Sequence, residues 1–434
     1  MEKEKDKEKK EIASAPRGMR DIFGDEYYQF QGFFEKAQEI AVYYGFRPIE
    51  TPALEKEEIF TTSVGAGTDI VDKEMYQIRA KGGERLVLRP EGTAGITRAY
   101  LEHGLQTEPQ PIMFYYYGPF WRHDRPQKGR YREFRQFGLE ILGTEKSITD
   151  ALVIRSALNI LEEAGAKNLV VEINSIGDKE CRPQYIRELV NYYKRRINSV
   201  CPDCKQRIRL NPLRVLDCKN EKCQVIKEKA PDIMNFLCDN CQQHFKEVLE
   251  YLEETKVNYR LNKFLVRGLS YYNRTVFEIF NELPDYPEES KLAIASGGRY
   301  DYLARALAAK KDVPAVGVAI GADRVIHSPW WSNLKPKIIK KPKVFFAHLG
   351  WEAKLKSLAI IEILRKAKIP IAQSIAKDSI SVQLAIAEKK QIPYVIIFGQ
   401  KEVLEKSVIV RNMENRSQET VKIEKLTDYL KHLK

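Results

Sequence analysis

The densest run of residues able to act on a charged substrate is Gly118 to Glu140, GPFWRHDRPQKGRYREFRQFGLE. Between Arg122 and Arg135 it holds six Lys and Arg residues against two acids, interleaved with Gly129, Tyr131 and Phe134. Guanidinium forks at this spacing can bind phosphate oxygens in pairs, and an aromatic face among them can stack on a base. Alone, the run reads as well as a solvated basic hairpin. Four other groups accompany it. LRPEGT (88–93) sets a carboxylate and a hydroxyl on a turn after a strand, and LVRGLSYYNRTVFE (265–278) puts Arg267 at a glycine turn beside two tyrosines. SGGRYD (296–301) is a glycine-rich turn with an Arg and a Tyr, and AVGVAIGADRV (315–325) presents Arg324 after a run of small residues that lets a helix pack closely on a sheet. Each of these four, taken singly, is as readily a turn or packing feature.

A second kind of chemistry is suggested by cysteines. Six of the seven lie in residues 201 to 241: Cys201, Cys204, Cys218, Cys223, Cys238 and Cys241; Cys181 stands apart. Two C-x2-C pairs read as knuckles presenting thiolates to one tetrahedral ion, so a structural Zn2+ on Cys201, Cys204, Cys238 and Cys241 is expected, with Cys218 and Cys223 as alternates. The other reading is a set of reduced, buried thiols. Disulfides do not suit a reducing compartment.

The elements that must hold these groups follow from periodicity. Tyr27 to Tyr44 has Phe30, Phe33, Phe34 and Ala37 at helical spacing with Gly45 beyond its end, and FRPIETPALE then reads as a strand. Strands are expected at RLVLR (85–89), IMFYYYG (112–118), REFRQFGLEILG (132–143), LVVEINSI, TVFEIF and LAIAS, and helices at 148–165 and 179–197. After the lysine- and proline-bearing segment WWSNLKPKIIKKPK the pattern changes to β-α-β-α-β, with two further strands and a final helix. The expected organisation is therefore a charged tail at 1–14 and an α+β catalytic domain on an antiparallel sheet at 15–328. That domain carries an insertion at about 180–258, cysteine-rich at 201–241. A linker at 329–343 and a mixed α/β domain at 344–434 complete the chain.

The chain of 434 residues has 43% hydrophobic and 30% charged residues and a net charge of +12. Most of that excess falls after residue 334, including five Lys in KPKIIKKPK, so the last domain is expected to meet a polyanion, nucleic acid first. No apolar run approaches bilayer length, and the N-terminus has neither the apolar core of a secretory signal nor the acid-poor character of a transit peptide. No membrane partner and a cytoplasmic location are expected.

Together the five motifs resemble the histidyl-tRNA synthetases, a family of class II aminoacyl-tRNA synthetases, from Arg17 to the C-terminus. GFRPIETPALE with Pro52 is similar to the dimer-interface motif, Gly118–Glu140 to the second class II motif, and Gly321–Val325 to the third. LVRGLSYY and SGGRYD resemble the two signatures particular to the histidine enzymes. The resemblance implies a homodimer that activates L-histidine with ATP and Mg2+ and esterifies it onto tRNA(His), with the last domain reading the anticodon. It implies Arg267 and Arg122 as catalytic cations at the α-phosphate, with Arg267 also at the substrate carboxylate in place of a metal. Arg130 and Arg324 go to the pyrophosphate and Phe134 to adenine. Histidine is implied to bind through Glu91, Thr93 and Gln136 at its ammonium and Glu140, Tyr272 and Tyr300 at its imidazole, with Gly92, Arg122, Arg267 and Tyr271 completing the implied histidine site. Gln127 and Arg132 are where the family reads the tRNA acceptor end. Two departures stand out. Ser270 replaces the Asp of the usual GLDYY pattern, and Asp323 and Val325 replace Glu and Leu. A noncatalytic relative, a regulatory subunit or an uncharged-tRNA sensor, is the alternative; the C-terminal domain and the presence of Glu91, Arg122, Arg267 and Arg324 speak against it.

Overall fold

Strand Ile112–Trp121, in which buried and half-buried residues partly alternate, is the first long strand of the molecule. It pairs antiparallel with Glu133–Leu142 over ten positions, Ile112 opposite Leu142 and Trp121 opposite Glu133, so the basic loop 122–132 closes a long hairpin. The computed structural model describes residues 14–65, 68–127, 129–282, 292–337 and 342–433. These fall into two units, residues 1–336 and 337–434.

The hairpin sits in an eight-stranded sheet with the order Arg47–Pro48, Ile112–Trp121, Glu133–Leu142, Ala315–Gly321, Ala295–Arg299, Asn273–Asn281, Leu169–Ser175, Tyr259–Leu261. The six central strands are antiparallel, as expected. The two short edge strands pair parallel, a difference from a purely antiparallel sheet. Helix Gly24–Tyr43 buries Phe30, Phe33, Ala37, Ile40 and Ala41 on one side of the sheet, and Phe34 stacks on Tyr117 at 4.6 Å. Helix Ile148–Glu163 adds Val153, Ile154, Ala157 and Leu161 to the same core. Burying a side chain of this size stabilises by roughly 1.5–3 kcal/mol, so this face anchors the sheet that carries the site.

Three expectations change. FRPIETPALE is two short strands, Arg47–Pro48 and Leu54–Lys56, because Pro48 and Pro52 cannot donate to a continuous ladder. Helix Thr93–Glu102 follows LRPEGT directly and had no foreseen place. The expected linker begins too early: Trp331 is buried with its ring 6.3 Å from that of Phe33, and Leu334 packs on the same core, so residues 329–336 belong to the first unit. Tail residues 1–13 and linker residues 338–341 lie outside the described residues.

The insertion is four helices, Arg182–Lys194, Pro202–Leu210, Glu221–Glu228 and Asp239–Glu254. In the second unit, strands Val344–His348, Ile371–Gln373 and Tyr394–Phe398 are parallel, and Ser407–Asn412 and Gln418–Lys422 extend the sheet antiparallel. Helices Trp351–Lys366, Ile380–Lys389 and Leu426–His432 accompany this sheet. Among the described residues no helix is long and apolar enough to cross a membrane.

Candidate active site

Glu91 is the residue around which one wall forms. It precedes helix Thr93–Glu102, and its carboxylate accepts the backbone N–H groups of Thr93 (2.7 Å) and Ala94 (2.9 Å), two donors that a helix start leaves without intrahelical partners. The Tyr271 hydroxyl donates to the same carboxylate at 3.2 Å. Burial nevertheless holds the Glu91 carboxyl above its usual range. Gly92 lies against Tyr116: a Cβ there would meet the ring at 2.7 Å.

Glu140, on strand Glu133–Leu142, is 1% exposed. It accepts hydrogen bonds from the Thr93 hydroxyl at 2.8 Å and the Tyr300 hydroxyl at 2.5 Å. Its space comes from Gly317 on the neighbouring strand, where a Cβ would lie 1.6 Å from the carboxylate. Gly138 serves Tyr116 in the same way, with a Cβ 2.1 Å from the ring. Burial pushes the Glu140 carboxyl up to about 8. At neutral pH an empty pocket therefore keeps it largely protonated, and its charge returns when a cation or strong donor is placed against it.

Arg267 is fixed by an ion pair to Glu278 and by a hydrogen bond to the Ser296 hydroxyl at 2.8 Å, and it lies over the Tyr272 ring, 5.4 Å from the centroid. Glu278 and Ser296 face each other across two paired strands, which makes the mount rigid. Neither had been singled out from sequence, since strand pairing alone brings them together. Ser270 has no part in orienting Arg267: its hydroxyl accepts from Asn211 and its N–H donates to Val64. Arg267 is held without any contact from position 270.

Arg122, Arg130 and Arg324 also line the site. Arg122 donates to the Pro90 carbonyl at 2.9 Å and lies 5.2 Å from the centroid of Phe134. Arg324 donates to the carbonyls of Gly129 and Ala293, and Arg130 pairs with Asp124 at 3.3 Å. Burial first, then the charges of Arg130 and Arg122, pull the Arg324 guanidinium down to about 10. Asp323, which sequence reasoning passed over as a conservative change, accepts from Arg20 at 2.8 Å and from the Arg135 N–H at 2.6 Å, tying the third motif to the second.

These groups enclose a cavity of about 1100 Å3. Glu91, Gly92, Thr93, Arg122, Arg130, Phe134, Gln136, Arg267, Tyr271, Tyr272 and Arg324 line it, while Glu140 and Tyr300 stand behind Thr93. Gln127 and Arg132 do not line it. Gln127 forms a bridge with Arg130 in the hairpin loop, and the Arg132 guanidinium donates to the carbonyls of Asp124 and Arg17. Arg299 of SGGRYD is wholly buried between Asp150 and Asp301, a structural cation rather than a substrate ligand.

The cysteine grouping expected from sequence is corrected. Cys201 and Cys204 gather with Cys218 and Cys223, whereas Cys238 and Cys241 gather with Cys181 and Asp178. Cys238 and Cys241 open helix Asp239–Glu254, whose first turn lies against the loop after strand Leu169–Ser175, and this carries them to Cys181.

Residues 18–178 and 205–325 match the histidyl-tRNA synthetase family, and residues 343–433 match the anticodon-binding domain. The chain belongs to the histidyl-tRNA synthetase family. A histidine–tRNA ligase of Dehalococcoides mccartyi is 41% identical over 412 residues, 95% of this chain and 97% of that one. Another, from Thermodesulfovibrio yellowstonii, is 40% identical over 416 residues, 96% and 97% of the two chains. The apo histidyl-tRNA synthetase of S. aureus has the same fold, with a TM-score of 0.79 and 28% identity over 97% of this chain and all of that one. The synthetase activates histidine with ATP and esterifies it onto tRNA, forming AMP and diphosphate, and as a class II enzyme it uses Mg2+ with ATP. Near the three arginines the described residues gather no cluster of carboxylates that could cage an ion. Mg2+ suits this site as a companion of the triphosphate, held through substrate phosphates.

Proposed function

We propose that this cavity assembles histidyl-adenylate, with the charge for the reaction supplied by arginines fixed in advance. The carrying observation is the mount of Arg267, whose guanidinium is held by Glu278 and Ser296 where all three line the cavity beside the tyrosine pair. In this reading the histidine ammonium takes Glu91, Thr93 and Gln136, which offer acceptors for three N–H donors. The imidazole lies against Tyr271 and Tyr272, and it reaches Glu140 and Tyr300, its polar partners behind Thr93, by displacing the Thr93 hydroxyl from Glu140. Imidazole, with an ordinary pKa of about 6.5, is a partner that lets Glu140 regain its charge.

The substrate carboxylate attacks the α-phosphorus, and diphosphate leaves in line. Arg267 and Arg122 meet the charge growing on the α-phosphate oxygens, and Arg130 and Arg324 receive the diphosphate. Because Arg267 and Arg324 are already held in place by hydrogen bonds and ion pairs away from bulk water, little reorganisation of these two accompanies the step, whereas Arg130 is exposed in the hairpin loop. Phe134, carrying Arg122 on one face, offers its ring to adenine. Gln127 and Arg132 in the hairpin loop suit the acceptor end of tRNA(His). The segment around Pro52, where Pro52 and Leu54 are exposed, suits a homodimer interface, and a cytoplasmic enzyme fits the free thiols.

Replacing Glu140 by Ala tests the histidine pocket. The imidazole loses one partner while the rest of the site persists, so the KM for histidine in ATP–diphosphate exchange is expected to rise by roughly 5- to 150-fold, about 1–3 kcal/mol, with the KM for ATP unchanged. An unaltered KM for histidine in a folded variant means the imidazole binds elsewhere.

A further inference from the structure

All seven cysteines of the chain fall into the two groups, four thiols in one and three with Asp178 in the other. We infer that the insertion holds two zinc ions: one on Cys201, Cys204, Cys218 and Cys223, the other on Asp178, Cys181, Cys238 and Cys241.

Geometry carries the inference. A tetrahedron of Zn–S bonds of about 2.3 Å has edges of about 3.8 Å, and an edge between one sulfur and one oxygen at about 2.0 Å is about 3.5 Å. The sulfurs of Cys201 and Cys218 are 3.8 Å apart, as are those of Cys181 and Cys241, and Asp178 Oδ1 lies 3.5 Å from the Cys181 sulfur and 4.0 Å from that of Cys238. In each group every ligand atom is within 4.8 Å of every other, room for one ion and too tight for an iron–sulfur core. A disulfide needs about 2.05 Å, and all seven cysteines are free. Backbone N–H groups already point at the sulfurs: Cys204 to Cys201 at 3.5 Å, Cys201 to Cys223 at 3.3 Å, and Asp178 to Cys181 at 3.4 Å. Such donors favour thiolate, the form that binds metal. Three or four soft thiolates with at most one carboxylate select zinc over magnesium or calcium.

Each ion has a mechanical task. The first fastens helices Pro202–Leu210 and Glu221–Glu228 to the turn between them. That segment carries Arg214, whose guanidinium meets Asp69 at 2.6 Å, and Asn211, which donates to Ser270, and Cys201 and Cys218 themselves line the active-site cavity. The second joins the entry to the insertion, residues 178–181, to the start of its last helix, residues 238–241. Beside it, Arg182 donates to the Tyr272 carbonyl at 2.8 Å, and Arg274 lies 3.5 Å from Asp178. Zinc in this protein shapes two walls of the cavity without touching substrate.

The test is the metal content of the full-length protein, grown with zinc and dialysed, by elemental analysis and native mass spectrometry. About two zinc ions per chain are expected, released together as the thiols are titrated with a mercurial. Cys223→Ser and Cys241→Ser are each expected to lose one ion and the double variant both. Wild-type protein reconstituted with cobalt gives a further readout that needs no variant to fold: its thiolate-to-cobalt absorption is expected to grow through a second equivalent of metal and then stop. One ion per chain with Cys241→Ser unaffected overturns the second site. No bound zinc with seven freely reactive thiols, or iron with visible absorption, overturns both.

Discussion

Changing Arg267 to Ala is expected to lower histidine-dependent ATP–diphosphate exchange by roughly 100- to 1000-fold or more, the scale for loss of a fixed electrostatic group at a developing charge. The effect should fall on kcat as well as on binding, because in the proposed arrangement the guanidinium meets both the substrate carboxylate and the α-phosphate. Arg267→Lys keeps the charge but loses the fork that spans Glu278, Ser296 and the cavity, so an intermediate loss is expected. Truncation also strands Glu278, whose carboxyl is already held above its usual range by burial. The side chains of the pair are 13% and 25% exposed, so the stability cost should be below the roughly 3–5 kcal/mol of a fully buried broken pair. Arg267→Ala with Glu278→Gln removes the stranded charge: if the fold recovers and exchange does not, the loss belongs to the chemistry. Normal exchange by a folded Arg267→Ala would falsify the assigned role.

Removing the anticodon-binding unit is expected to separate the two halves of the reaction. The cut belongs after Pro336, since Trp331 and Leu334 are part of the catalytic core. Nucleic acid is held largely by phosphate contacts, and the removed unit carries much of the positive charge. Aminoacylation by residues 1–336 is therefore expected to fall by about 100-fold or more, while histidine-dependent exchange stays within about threefold of the full chain, because every residue assigned to adenylate formation precedes residue 325. In the full chain, tRNA affinity should drop steeply with salt. A folded truncation that charges tRNA as well as the full chain contradicts this division.

The sequence was most informative where motifs are contiguous. Arg122, Arg130 and Arg135 of 118–140, the tyrosine pair after Arg267 and Arg324 all reach one cavity, and the β-α-β-α-β pattern after residue 343 is the observed sheet. It was least informative where chemistry depends on pairing across strands or between helices. Glu278 and Ser296 are 18 residues apart and meet only because Ser296 and Glu278 are register partners. Gly317 has no local signal that it shelters Glu140; only its pairing with Glu140 on the adjacent strand shows it. The cysteines mislead for the same reason. Two C-x2-C knuckles invite pairing with each other, but Cys238 and Cys241 sit on a helix that returns to the sheet, where Cys181 and Asp178 wait 60 residues upstream. Helix Thr93–Glu102 was missed because Glu91 and Gly92, not a Ser or Asp at the N-cap position, begin it.

The most direct measurement is ATP–diphosphate exchange by the purified full-length protein with each of the twenty amino acids in turn, without tRNA. If the pocket pairs both imidazole nitrogens as proposed, any other side chain strands its buried polar groups, so histidine is expected to support exchange at least about a thousandfold better than every other amino acid. Exchange of comparable rate with a second amino acid, or none with histidine, contradicts the account.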